Sequence, residues 1–205
     1  HRLVGNPGCY TTCSILGLAP LAANKICDTK NLIIDAKSGV TGAGRGLNLP
    51  NLFCECTETM KAYKIATHRH TSEIEQELSL LAGEDIMVSF TPHLAPMKRG
   101  ILATCYANLT EKKTTEEIVE LYREFYKNEE FVRVYPAGEL PEVKHIAGSN
   151  YVGIGAVVDE RLNRAVIVSC IDNLVKGAAG QAVQNMNLLF GLAENVGLTD
   201  AGLYL

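Results

Sequence analysis

The chain has 205 residues, 19 Lys and Arg against 23 Asp and Glu, a formal net charge of −4, and 47% apolar residues. That length holds one large domain, or one domain with an appendage, and the composition is that of an ordinary soluble globular protein. The mild acidity gives no basis for nucleic-acid or anionic-membrane binding. No apolar run approaches the ~20 residues that span a bilayer. The first residues lack a signal-peptide pattern, and the chain starts with His rather than Met. Its seven cysteines are odd in number and irregular in spacing. That pattern argues for free thiols in a reducing, cytoplasmic compartment rather than a disulfide framework. Cys105 and Cys170, in apolar strand-like runs, read as small core residues.

In chain order, Cys9 to about Lys25 has helical periodicity, with Ile15, Leu16, Leu18, Ala19 and Ala22 on an apolar face. Pro20 is expected to kink that helix or end it early. "NLIIDAKSG" reads as a strand and "GVTGAGRG" as a glycine-rich loop. "HTSEIEQELSLLAG" reads as a helix closed by Gly83. "DIMVSFTPHL" and "GILATCYANL" read as strands around a proline-rich turn. "TTEEIVELYREFYKN" is a helix with a capping box from Thr114 and Glu117. "YVGIGAVVDE" and "RAVIVSCID" form a hairpin. A last helix starts near Asp172 and carries Gly177, Ala178, Ala179 and Gly180 in a row, which lowers helix propensity unless something approaches closely. Strands and helices do not alternate strictly. The expected class is therefore α+β, with a mixed or largely antiparallel sheet and helices on one face.

Four segments carry chemistry. "NPGCY" places Cys9 in a helix's first turn, where free N–H groups and the macrodipole favour thiolate. A buried structural cysteine is the equal alternative on this motif alone. "HRHTSEIEQ" puts His68 and His70 two residues apart, with Glu73 one turn on, and a neutral imidazole beside a thiolate can move protons. A zinc site shared with Cys54 and Cys56 has suitable ligand types but no familiar spacing, so no metal is expected. "DAKSGVTGAGRG" lacks both the dinucleotide fingerprint and the phosphate-loop order. Its glycines can admit a ligand to the backbone, with Ser38 and Arg45 as polar contacts. "PHLAPMKRG" sets Lys98 and Arg99 on a stiff loop suited to phosphate or carboxylate.

Together "NPGCY", "DAKSGVTGAGR", "HRHTSEIEQEL", "PHLAPMKRGI" and "IDNLVKGAAGQAVQNMNL" resemble the N-acetyl-gamma-glutamyl-phosphate reductases, within the aspartate-semialdehyde dehydrogenase group. The resemblance runs from about Asn6 to Leu198. It implies the C-terminal domain fold of glyceraldehyde-3-phosphate and aspartate-semialdehyde dehydrogenases. All of 1–205 would be one catalytic and dimerisation domain. The N-terminal Rossmann domain would be absent, and the helix from about 172, with its small residues, would pack against it. Cys9 would attack N-acetyl-glutamyl 5-phosphate, and NADPH would reduce the thioester to the semialdehyde, with His70 as acid/base. The resemblance assigns Asn6, His68, Glu73, Lys98 and Arg99 to substrate, and Ser38, Gly39 and Asn173 to the cofactor, most of whose site lies in the missing domain. It also implies a small-molecule substrate, a homo-oligomer, and no nucleic-acid or membrane partner. The family pattern has Pro where this chain has Thr11, which fits the first turn less rigidly but leaves the thiol in place. The alternatives are a catalytically silent dimerisation fragment, a reductase of an aminoadipyl phosphate in lysine biosynthesis, and, more remotely, a cofactor-free esterase. Cys9 is expected to be the most reactive of the seven thiols.

Overall fold

One mixed sheet of seven strands organises the computed structural model, which describes residues 3–204. β1 (Leu32–Ser38) lies between β3 (Val88–Leu94), to which it is parallel, and β4 (Ile101–Asn108), to which it is antiparallel. β4 pairs antiparallel with β7 (Arg164–Ile171), and β7 with its hairpin partner β6 (Val152–Asp159). Short strands close the edges. β2 (Lys61–Ala62) runs antiparallel to β3, and β5 (Val132–Val134) runs parallel to β6. Each parallel pair needs a crossover. The one from β1 to β3 contains α2 (Phe53–Cys56) and α3 (His70–Ala82), and the one from β5 to β6 contains α5 (Val143–Ile146).

The strands obey the two-residue period of a half-covered sheet. On β4, Ile101, Ala103, Cys105 and Ala107 are fully buried, and the residues between them are only half-buried. The buried face packs against α1 (Cys9–Ala23), α3 and α4 (Thr115–Phe125). The other face carries α5, whose Ile146 sits with Val168 and Cys170 in a small second cluster, and residues 135–141, whose Tyr135, Leu140 and Pro141 pack over Gly153 and Gly155. Helices are therefore on both faces, although unequally. α4 keeps both reciprocal bonds of its Thr114–Glu117 capping box, and Gly83 closes α3 in the left-handed region, as its sequence implies.

α1 departs from the expected one-sided helix. Its residues from Tyr10 to Ser14 and from Gly17 to Ala22 are buried, so it is covered nearly all round. Nor does Pro20 end it. Proline removes the N–H that would bond the Leu16 carbonyl, and Tyr126, the residue after α4, supplies a replacement donor. Tyr126 Oη donates to the Leu16 oxygen at 2.6 Å, and Tyr122 Oη donates to the Gly17 oxygen at 2.6 Å. Two tyrosines four apart, one in α4 and one just after it, thus lock α4 to the middle of α1.

After β7 the chain turns at Asp172 into a π-helical turn, Val175–Ala179, that leads into α6 (Gly180–Leu189). The turn is shown by Gly177 N–H donating to the Asp172 oxygen and Ala179 N–H to the Leu174 oxygen. The small residues here serve neighbours inside this chain. A Cβ on Gly177 would lie 2.8 Å from Cys9 Cβ, and one on Gly180 would lie 2.4 Å from Asn150 Oδ1. Gly177 and Gly180 are thus accounted for without a second domain. The exposed apolar side chains of α6 and the residue after it, Met186, Leu188, Leu189 and Phe190, are not.

Tyr126→Phe is expected to cost about 1–2 kcal/mol in urea unfolding, because it strands the Leu16 carbonyl beside the proline. An unchanged unfolding midpoint would mean that this carbonyl has another donor.

Candidate active site

Gly8 is the N-cap of α1 and has no side chain with which to cap it. The cap comes from α3. The Glu73 carboxylate accepts from Gly8 N–H at 3.2 and 3.4 Å and from Thr11 Oγ at 2.8 Å. Cys9 is the first helical residue, half-buried, with Gly177 against its Cβ. Burial raises its pKa. Backbone hydrogen bonds at Tyr10 and Cys9 and the Arg69 charge pull it down, and Glu73 adds to the rise. The expected thiolate at the helix start is therefore not the resting form. Desolvation outweighs the helix end.

Both histidines stand beside this turn. His70 begins α3 and is 8% exposed, and a Cβ on Gly8 would lie 2.3 Å from its Nε2. Its Nδ1 is buried without a partner. His68 Nδ1 accepts the His70 backbone N–H at 3.1 Å, which leaves the His68 proton on Nε2. The two rings meet edge-on with centroids 4.7 Å apart, and Tyr10 and Phe90 close over His68 in the same way. Burial lowers both imidazole pKa values to about 4, and His68 is lowered further by its neighbour's charge. Both rings are neutral near pH 7, as proton exchange with a thiol requires.

Cys9, His68 and His70 share one cleft of about 470 Å³ with Ser38 and Gly39 of the glycine-rich segment. That segment is a 3₁₀ turn, Val40–Ala43, held to the proline-rich loop. Gly39 N–H donates to the Gly100 oxygen at 2.9 Å, and Thr41 Oγ1 donates to the Lys98 oxygen at 2.7 Å. Gly39 has to be glycine here, since a Cβ would sit 2.7 Å from the Lys98–Arg99 backbone.

Six residues expected at a ligand do not line this cleft. Lys98 and Arg99 give backbone to that contact, and neither side chain lines the cleft. Arg99 Nη2 instead pairs at 3.0 Å with Asp172, which is fully buried. Asn173 is engaged on both sides of its amide, accepting from Gly100 N–H at 2.6 Å and donating to Thr41 Oγ1 at 3.0 Å, so it braces the two loops. Asn6 ties the first loop to the last helix, donating to the Ala178 oxygen at 3.0 Å and accepting from Asn185 at 2.9 Å. Glu73 lies beneath the turn as its cap, outside the cleft wall. Arg45 is exposed and also outside the wall.

The cleft's own cations are Lys61, Lys64 and Arg69, with Tyr63 beside them. The segment that supplies them is mostly irregular, with only the 3₁₀ turn Leu49–Asn51, α2 and the two-residue β2. It has no periodicity to read. The available signal was local, an arginine lodged between the two histidines. Asp172 was missed as well. Its carboxylate accepts the N–H groups of Gly148, Leu174 and Val175, at 2.6, 2.8 and 2.9 Å. It thereby fixes the turn that leads to Gly177. Among the described residues, no three His, Cys, Asp or Glu side chains are grouped to share a metal ion. Among the same described residues, no helix is long and apolar enough to cross a membrane. Cys54 is exposed, so it competes with Cys9 for small reagents, and the other five thiols are buried.

A family model described as semialdehyde dehydrogenase, dimerisation domain, matches residues 9–173. The chain belongs to this family. It is 67% identical over 204 residues to an N-acetyl-gamma-glutamyl-phosphate reductase of Acetivibrio thermocellus, covering 100% of this chain and 59% of that protein. It is 60% identical over 202 residues to one of Desulforamulus reducens, covering 98% and 58%. The chain thus spans about three fifths of the length of these relatives. Its fold matches aspartate semialdehyde dehydrogenase II of Vibrio cholerae with a TM-score of 0.72 at 16% identity, over 92% of this chain and 62% of that one. A probable aspartate-semialdehyde dehydrogenase of Pseudomonas aeruginosa gives 0.71 at 20% identity, with the same coverage. The match to the family model begins at Cys9 itself and ends at Asn173, the brace between the two loops, so it takes in the whole cleft wall.

The depressed histidines make stability pH-dependent in a defined window. Their folded pKa of about 4 lies below the reference 6.5, so the unfolded chain binds more protons between those values. Stability therefore falls as pH drops through that range and is fully present above it. Urea unfolding is expected to be flat from pH 7 to 8 and to weaken from pH 6.5 to 5, with a shallower fall in His70→Asn. Identical slopes in the two proteins would contradict the burial of a neutral His70.

Proposed function

We propose that this chain carries the nucleophile and proton-transfer residues of an acyl-phosphate reductase acting on N-acetyl-glutamyl 5-phosphate. The observation that carries the reading is the meeting of Cys9, two neutral imidazoles and three cations in one cleft. The identity to the named reductases supplies the acyl group.

An anionic acyl phosphate suits Lys61, Lys64 and Arg69, which replace Lys98 and Arg99 as candidates for its charged ends. Its arrival brings the carbonyl carbon to Cys9. His70, against the Gly8 peptide, accepts the thiol proton as sulfur bonds to carbon. The carbon–oxygen bond to phosphate then breaks and inorganic phosphate leaves, giving a thioester on Cys9. The backbone N–H groups of the first α1 turn face developing negative charge at this point. When bound, NADPH supplies the hydride that takes the thioester to the aldehyde oxidation level. Ser38 and Gly39 are in the cleft wall and fit the near side of a nicotinamide. Asn173, engaged at both ends, fits a bracing role better than contact with the ring. His70 returns its proton as the semialdehyde is released and the thiol re-forms. The proposed reaction would be a step of arginine biosynthesis, carried out in the cytoplasm.

The half-covered sheet face supports self-association. Ile33 and Val157 stand exposed on it, Tyr106 and Val166 are half-buried, and the family is named for dimerisation. A homodimer formed through this face fits both observations.

Mixing the chain with N-acetyl-glutamyl phosphate should give a mass increase of one acyl group, mapped to Cys9 and absent in Cys9→Ser. His70→Asn is expected to slow loading by roughly 10²-fold or more, and Arg69→Ala to raise the concentration needed for half-loading. Loading on Cys54, or none at all, would overturn the reading.

A further inference from the structure

We propose that Glu73 is a positioning residue for the Cys9 nucleophile: from α3 it caps the helix that carries the thiol, and its carboxylate sets the charge the thiol meets. The inference rests on the reading of Cys9 as the acyl acceptor.

A helix that begins at glycine has no side chain to satisfy its first N–H groups. Glu73 does so across 65 residues of sequence, taking the Gly8 N–H with both oxygens. It also takes the Thr11 hydroxyl at 2.8 Å. Gly8 and Thr11 bracket Cys9, so one carboxylate fixes the turn on both sides of the sulfur. Thr11 is fully buried, and its hydroxyl is spent on this contact. A proline at this position is tolerated by a first helical turn but has no donor to offer. The threonine therefore tightens the cap in this chain.

The same carboxylate occupies the positive end of α1, where a thiolate would otherwise collect the full benefit of the helix. Other groups face Cys9 as well. Arg69 and His70 come from the start of α3 and the residue before it, and Tyr63 from the loop, while Lys61 and Lys64 line the cleft. Ile171 and Gly177, on the opposite side, bring no charge. Lys176 directs its amine to Gln184 at 2.7 Å. Arg69 and Glu73 are therefore the opposed charges at the thiol, and Glu73 is the one also bonded to the turn. It holds Cys9 in place and adds to the burial that keeps the thiol protonated.

The test uses alkylation of Cys9 across pH, resolved by peptide mass, with Cys54 as internal reference and thermal melting in parallel. Glu73→Gln keeps a carbonyl acceptor for the Gly8 N–H but removes the charge. Its Cys9 labelling curve should move to lower pH, roughly threefold faster near neutrality, with melting little changed. Thr11→Val removes the donor that partly neutralises the carboxylate, so its curve should move to higher pH. Opposite shifts with an unmoved Cys54 support the proposal. Curves superimposed on the parent's in both variants would leave Glu73 as an ordinary structural cap and overturn it. If Glu73→Gln fails to fold, the direction of the Thr11→Val shift decides alone. These readouts need no acyl phosphate, so failed acylation with shifted curves would count against the proposed reaction and not against Glu73.

Discussion

The site depends on close approach at the beginning of α1. Gly8 has φ −69° and ψ 155°, a conformation open to any residue, so its lack of a side chain matters for the neighbour and not for the backbone. The His70 imidazole occupies the space a Cβ would take, and Gly177 gives the same clearance to Cys9 from the other side. Two missing side chains thus let a loop, a π turn and a helix start meet around one sulfur. Everything farther out keeps these pieces in register. Tyr122 and Tyr126 hold the middle of α1 despite Pro20. Asp172 fixes the turn before Gly177. Asn6 ties the loop before Cys9 to the last helix.

Charge in the cleft is divided between layers. The inner groups, Cys9, His68 and His70, are held neutral by burial. A neutral site avoids the cost of keeping ions out of water. The outer groups, Lys61, Lys64 and Arg69, carry the positive charge. On the proposed reading, an anionic ligand would meet the cations first and bring its reactive carbon toward the neutral groups. Proton transfer from thiol to imidazole would then create charge only where substrate has displaced solvent.

Local chemistry was legible in the sequence, and convergence was not. The α4 capping box, the β6–β7 hairpin and the Gly83 stop follow from neighbours within a few residues, and all three form as read. Cys9 and His70 were proposed from motif chemistry and from family resemblance, and both line the one cleft. Lys98 and Arg99 looked equally suitable, but Arg99 is claimed by Asp172, more than seventy residues away and fully buried. Helical spacing gave α1 a single apolar face, yet the sheet, α3 and α4 enclose it, because coverage depends on elements far along the chain. The cations of the cleft stand on a largely exposed, irregular excursion that follows no period.

The central claim is that reactivity depends on the imidazole resting against a side-chain-free Gly8. Gly8→Ala tests it most directly, because alanine satisfies the local backbone angles and the three nearest atoms to the added methyl group all belong to His70. Acyl loading of Cys9 from N-acetyl-glutamyl phosphate, followed by mass, should fall by roughly 10²-fold or more, while the melting temperature drops by no more than a few degrees. Loading at the parent rate in a folded Gly8→Ala protein would show that the contact between His70 and the Cys9 turn is not what makes the thiol work.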